Sequence, residues 1–109
     1  MTLFIQEAAE RDILSQVEWY AQKGLPHIAS RFYQAVTAAI DGLLAMPEAG
    51  PPKPTVNREL VGLRTWPVTG FDEFWVYYLT RSDNVIVVRI LHSKRDIGSI
   101  LADQAVEEP

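Results

Sequence analysis

The stretch ELVGLRTWPVTGFDEFWVYYLTRSDNVIVVRILHSKRD, residues 59–96, decides the fold. Three of its runs, Leu60–Pro67, Glu73–Thr80 and Val85–His92, are rich in β-branched and aromatic residues. Turn-forming segments separate them, Thr69-Gly70-Phe71-Asp72 and then Arg81-Ser82-Asp83-Asn84, so the three runs predict an antiparallel meander. Strict alternation places Phe74, Val76 and Tyr78 on one face of the middle strand and Trp75, Tyr77 and Leu79 on the other. In the last strand, Ile86, Val88 and Ile90 oppose Val85, Val87, Arg89 and Leu91. Both faces are apolar, and both therefore need a cover. That strand runs directly into His92-Ser93-Lys94-Arg95-Asp96, which crowds a histidine and two cations at the strand end.

Upstream, Thr2–Gln6 has the content of a short strand, and a helix with acids in its first turn follows from about residue 7. Ile13, Val17 and Tyr20, with Leu14 and Ala21 beside them, recur at helical spacing on one side of it. Gly24 suits a left-handed helix end and Pro26 the first turn of a second helix, so the two form an antiparallel hairpin. The second helix, Pro26–Ala45, aligns Ile28, Phe32, Val36, Ala39 and Leu43. Pro47, Pro51, Pro52 and Pro54 then predict a stiff extended connector outside the sheet ladder. One helical turn fits Asp96–Leu101. The expected architecture is an α+β two-layer sandwich, β-α-α-β-β-β, with the hairpin on one face of an antiparallel sheet of about four strands. Residues 1–102 are expected to form a single domain and residues 103–109 a mobile acidic tail.

A chain of 109 residues has room for one core. It contains no cysteine and only two histidines, His27 and His92, which excludes thiolate and histidine-rich metal sites; no cofactor is expected. The net charge of −4 argues against strong direct binding to nucleic acid. No stretch approaches transmembrane length and the N-terminus lacks a secretory signal, so a cytoplasmic location and no membrane contact are expected.

One ordered pattern covers nearly the whole chain: Ala8, Asp12, Ile13 and Tyr20; Ala29 with Phe32; Pro47-Glu48-Ala49-Gly50; Gly62-Leu63-Arg64; Pro67-Val68; Phe74 to Tyr78; and the closing Arg89, His92, Arg95 and Asp96. This pattern resembles the ParE branch of the RelE/ParE toxin superfamily. The resemblance implies the growth-arresting toxin of a bacterial type II toxin–antitoxin, or plasmid stabilisation, module, held in a hetero-oligomer by a ParD-like antitoxin. ParE toxins poison DNA gyrase, whereas RelE-like relatives cut messenger RNA in the ribosome. A metal-free ribonuclease needs a group to activate the 2′-hydroxyl, cations for the phosphate and an acid for the leaving oxygen. RelE-like enzymes supply these from lysines on the second strand, an arginine on the third and a residue near the C-terminus. In this chain those places hold Trp66-Pro67-Val68, Phe74 and Ile100-Leu101, and only Arg95 matches a phosphate-binding position. No catalytic residue is assigned. The implied reading is a non-enzymatic gyrase inhibitor; the alternatives are a RelE-type ribosome-dependent endonuclease and a non-toxic antitoxin-binding or operon-regulating domain.

Arg64, His92 and Arg95 are the candidate target contacts. Arg64 either reaches a target or pairs with an acid of a neighbouring strand, and His92 either acts as a base or is satisfied by a backbone carbonyl. Trp75, Tyr77, Leu79, Val87, Arg89 and Leu91 are the candidate antitoxin face, because that many apolar side chains cannot stay wet. Arg89 meets the partner's acid there or pairs internally with Asp96 or Glu73.

Overall fold

Two reversals shape the N-terminal half of the computed structural model, which describes residues 1–108. Helix α1 (Glu7–Gln22) follows strand β1 (Thr2–Ile5) and stops where Gly24 takes φ +75°. The Leu25 N–H reaches back to the Tyr20 carbonyl (2.9 Å) and the Gly24 N–H to that of Ala21 (3.1 Å), a Schellman end that only a residue free of a Cβ adopts without strain. Pro26 then opens helix α2 (Pro26–Ala45). Ala9 and Ile13 of α1, with Phe32, Val36, Ala39, Ile40 and Leu43 of α2, turn their buried side against the sheet. Leu14, expected beside that stripe, is exposed.

Strands β2 (Arg64–Pro67), β3 (Phe74–Arg81) and β4 (Asn84–His92) form the meander, and helix α3 (Ile97–Ala102) follows. The sheet order is β1-β4-β3-β2. The meander is antiparallel as expected, but β1 pairs parallel with β4 and the sheet is mixed. The difference traces to the proline-rich connector. It runs back across the molecule and adds one reversal, so β2 points the same way as β1. The connector also touches the sheet after all: Pro52 bridges Arg64 in antiparallel fashion, the Lys53 N–H donates to the Leu63 carbonyl (2.8 Å) and the Thr65 N–H to that of Pro51 (3.0 Å). Proline cannot donate, but its carbonyl accepts, so the strap pairs at positions that ask only that of it.

The second face of the sheet is covered by the chain itself. Leu60, on a 3-10 turn at Arg58–Leu60, and Leu63 fold beneath β3 and β4, while Leu101 of α3 closes the other side. All three are at most 1% exposed, and they meet Tyr77, Leu79, Ile86, Val88 and Leu91. The apolar run after residue 59 is therefore largely cover, and β2 begins only at Arg64. Burying such leucines stabilises by about 1.5–3 kcal/mol each. The C-terminal residues 103–108, expected to be mobile, lie against this face as well, with Val106 packed on the cluster and the Gln6 amide bonded to their backbone. Pro109 of the expected tail lies outside the described residues.

Gly50 is fixed by a close approach. A Cβ there would lie 2.4 Å from both the Thr65 carbonyl oxygen and the Tyr78 hydroxyl. That hydroxyl donates to the Pro47 carbonyl (2.8 Å) and accepts from the Gly50 N–H (3.1 Å), pinning the connector to β3. We expect Gly50→Ala to destabilise by about 1–3 kcal/mol through overpacking. Gly98→Ala, whose added carbon would meet nothing within 4 Å, should be neutral or stabilise by up to about 1 kcal/mol. Urea denaturation of the two variants measures both.

Candidate functional site

A β-bulge in β4 arranges the site. The two-residue turn Ser82-Asp83 pairs Arg81 with Asn84 and sets Leu79 opposite Ile86. Further along, Tyr78 pairs with Val87 but Tyr77 with Arg89, leaving Val88 as the extra residue. The faces therefore differ from simple alternation: Val85, Val87 and Ile90 join the helix-side core, while Ile86, Val88 and Leu91 join the second cluster. A phase break of this kind is invisible to a period-2 count.

The bulge lies just where β1 stops pairing with β4, at Ile5 opposite Val87. Beyond it, the outer edge of β4 would present unpaired groups, and Asp12 of α1 takes the place of the missing strand. Its Oδ2 accepts from the Ile90 N–H (2.9 Å) and from Arg89 Nε (2.8 Å), and its Oδ1 accepts from Arg89 Nη2 (2.8 Å). The pair is bidentate and largely buried, with side-chain exposures of 16% for Arg89 and 9% for Asp12. The hydrogen bonds to Asp12 outweigh burial and hold the Arg89 guanidinium above its ordinary pKa. Arg89 is thus an internal pair, with Asp12 and not with Asp96 or Glu73, and its Nη1 donates to Gln104 Oε1 (3.0 Å). It is not free to receive a partner's acid. Sequence reasoning assigns Asp12 no role, yet a signal exists: one acid beside the buried stripe of α1 and one arginine within an otherwise apolar strand.

Past Arg89 the strand reaches the cation cluster. A row of aromatic rings runs outward from the core, Phe32 to Phe74 (4.9 Å between centroids) and Phe74 to the His92 ring (5.0 Å, edge-on). His92 Nδ1 accepts from the Lys94 N–H (3.1 Å), so Nε2 carries the proton that bonds Glu73 Oε2 (2.9 Å). Both ring nitrogens are engaged, with a backbone N–H in place of the expected carbonyl. Lys94 approaches the same carboxylate at 3.8 Å. Asp96 caps α3 through the Ser99 N–H (3.3 Å) and hydroxyl (2.8 Å). Arg95 is exposed and, among the described residues, pairs with no carboxylate.

His92 and Arg95 open onto a groove of about 860 Å³ between α1 and the ends of β3 and β4. Its apolar wall is Trp19, Tyr20, Leu25, Phe74 and Ile90, and its polar rim adds Arg11 and Glu73. Trp19, 49% exposed, carries Lys23 over its ring at 5.6 Å from the centroid. Trp19 and Leu25 lie outside the stripes that sequence periodicity singles out, because exposed apolar residues on a helix flank carry no periodic signal.

Arg64 does not join this site. It sits opposite Tyr78, whereas His92 sits opposite Phe74. Four residues of β3 therefore separate them, roughly 13 Å along the strand. Its Nη1 is committed to the Glu48 (2.9 Å) and Gly50 (2.7 Å) carbonyls, so it ties down the connector. The expected antitoxin face is likewise not open. Tyr77, Leu79, Val87 and Leu91 are buried by the chain itself, with Val87 on the opposite face, and burial raises the Tyr77 hydroxyl pKa. Trp75 alone of the six keeps an apolar surface partly accessible, beside a small cleft with Lys53 and Ile97. No cluster of metal-ligating side chains is present among the described residues.

The fold and the sequence both have relatives. The family model for the ParE toxin of the type II toxin-antitoxin system, parDE, matches residues 3–97, which leaves most of α3 and the C-terminal segment beyond its span. No curated protein matches the chain. Among solved structures, a chain from the chromosomal ParDE TA system of P. aeruginosa superposes with a TM-score of 0.71 at 18% identity, covering 86% of this chain and 97% of that one. At that identity the superposition speaks for the fold, while the family match extends over nearly all of the sequence from β1 to the start of α3. The chain belongs to the ParE toxin family of type II toxin–antitoxin systems.

Proposed function

We propose that this chain is a growth-arresting toxin that inhibits DNA gyrase by protein–protein contact in the cytoplasm and is silenced by a cognate ParD-like antitoxin. The observation that carries this reading is the groove at the strand end, where Arg95, paired with no carboxylate among the described residues, stands beside the exposed Trp19 and Leu25. Arginine and tryptophan are the side chains most enriched where binding energy concentrates. The chemistry beside it suits docking more than turnover. His92 has both nitrogens occupied, and the carboxylate it bonds, that of Glu73, is shared with Lys94. An antitoxin neutralises such a toxin by covering the same groove, with an acidic side chain on Arg95 and an apolar face on Trp19 and Leu25. That location replaces the second sheet face, which the chain has already filled.

Purified chain should inhibit gyrase in a supercoiling assay, and its expression in bacteria should produce filamentous cells with an induced DNA-damage response. Cleavage of messenger RNA at ribosomal A-site codons with gyrase unaffected would replace this reading with the endonuclease one, and growth unaffected by the expressed chain would leave the non-toxic domain.

Within the groove, Arg95→Ala should weaken gyrase inhibition about tenfold, the effect of losing one good contact. His92→Ala, removing a ring already bonded internally, should cost no more than about threefold. Dose–response curves for the two folded variants decide the order, and a larger effect at His92 would point to proton transfer.

A further inference from the structure

The last described residues, 103–108, have no regular secondary structure, and the backbone bonds that tie them down lie at their start, where the N–H groups of Asp103 and Gln104 turn back to the Leu101 carbonyl (3.2 Å from Gln104). Side chains from elsewhere do the holding. Gln6, only 2% exposed, donates from Nε2 to the Ala105 carbonyl (2.9 Å) and accepts at Oε1 from the Glu107 N–H (3.0 Å). These are a carbonyl and an N–H two residues apart, the pair of groups that a neighbouring strand engages on one edge of an extended chain. Asn57 Nδ2 donates to the Leu101 and Gln104 carbonyls (both 2.8 Å), and Glu59 Oε1 accepts from the Val106 N–H at 3.5 Å. Side chains of the segment contribute little: Val106 lies partly buried on the second cluster, Gln104 meets Arg89 Nη1 (3.0 Å), and Glu108 meets Arg81 Nη1 (3.4 Å).

The surface beneath is built to receive main chain. Gln6 follows β1 at the N-cap position of α1 and leaves that helix end without a side-chain cap because its amide is turned to this groove instead. Leu60, Leu63 and Leu101 are the fully buried members of the cluster beneath, and Val106 is only partly buried on top of it. A segment held by main-chain bonds to side chains, one valine, the Gln104–Arg89 bond and one exposed ion pair has few buried apolar contacts, the character of a segment that opens locally before the sheet unfolds. Whatever shares its chemistry fits in its place.

We propose that the groove formed by Gln6, Asn57, Glu59 and Arg81 is a receptor for an extended peptide segment of a partner protein. That segment carries an aliphatic residue followed by acids, and residues 103–108 occupy the groove when the partner is absent. The inference rests on this segment and its contacts alone and stands apart from the gyrase reading.

The probe is a labelled synthetic peptide, Asp-Gln-Ala-Val-Glu-Glu, matching residues 103–108. Fluorescence anisotropy should show it binding full-length Gln104→Ala/Val106→Ala, in which the occupant is loosened, at least tenfold more tightly than the unaltered chain. Adding Gln6→Ala to that variant, or replacing the peptide's valine with aspartate, should lose the gain. Equal binding to loosened and unaltered chains, with the fold preserved by circular dichroism, overturns the proposal. Dimerisation of the loosened variant also overturns it, by making the occupant a second copy. Hydrogen exchange on the unaltered chain is an independent check. The Val106 and Glu107 amides should be protected yet exchange at least a hundredfold faster than those of Val87 to Ile90. Exchange only with global unfolding, or no protection at all, contradicts it.

Discussion

The Asp12 carboxylate is the contact on which the arrangement of layers depends. It accepts three hydrogen bonds, two from Arg89 and one from the Ile90 N–H, and all three come from β4. Strand β1 is too short to pair with that part of β4, so the carboxylate of α1 finishes the edge. A charged acceptor there does what a neutral side chain could not. It satisfies a backbone donor and neutralises a largely buried guanidinium together, and the desolvation of each charge is offset only because the geometry is bidentate. Through Arg89 the same contact reaches Gln104, linking the helical layer, the sheet edge and the C-terminal segment.

With β4 fixed at that point, its far end projects the residues that line the candidate groove. The bulge at Val88 turns Arg89 to the edge and keeps Ile90 in the core and Leu91 in the second cluster. Three residues on, His92 rests against Phe74 and bonds Glu73, which leaves Arg95 as the outward cation beside Trp19 and Leu25. The groove is therefore a consequence of how α1 is clamped. A shift of α1 relative to β4 would move its Trp19 wall away from its Arg95 rim, so the contact that stabilises the fold also sets the shape of the groove.

Much of this architecture is legible in the sequence, and the exceptions have physical causes. The helix ends at Gly24 and Pro26, the meander and the Asp96 cap follow from local chemistry, and local chemistry is what spacing and propensity report. Parallel pairing of β1 is not legible, because the extra reversal comes from a connector whose path depends on Gly50 and Tyr78 meeting across the fold. The apolarity of the second face is legible but its cover is not: Leu60 and Leu63 have the composition of a strand, and Leu101 lies in a turn too short to show amphipathic periodicity. For the site, the cluster at His92 and Arg95 is visible as a charge concentration at a strand end. The commitment of Arg64 to two carbonyls and of Arg89 to Asp12 depends on contacts at separations of 14 to 77 residues, which no local pattern encodes.

The most direct test of that clamp is a double-mutant cycle on Asp12 and Arg89, using Asp12→Ala, Arg89→Ala and the double variant in urea denaturation. Each single change should cost about 3 kcal/mol or more, because it strands a buried partner, and the double variant should cost much less than their sum. The coupling should be about 1.5–3 kcal/mol and persist in high salt, since the pair is shielded from solvent. A coupling below about 0.5 kcal/mol would contradict the central role of that pair in holding α1 to β4.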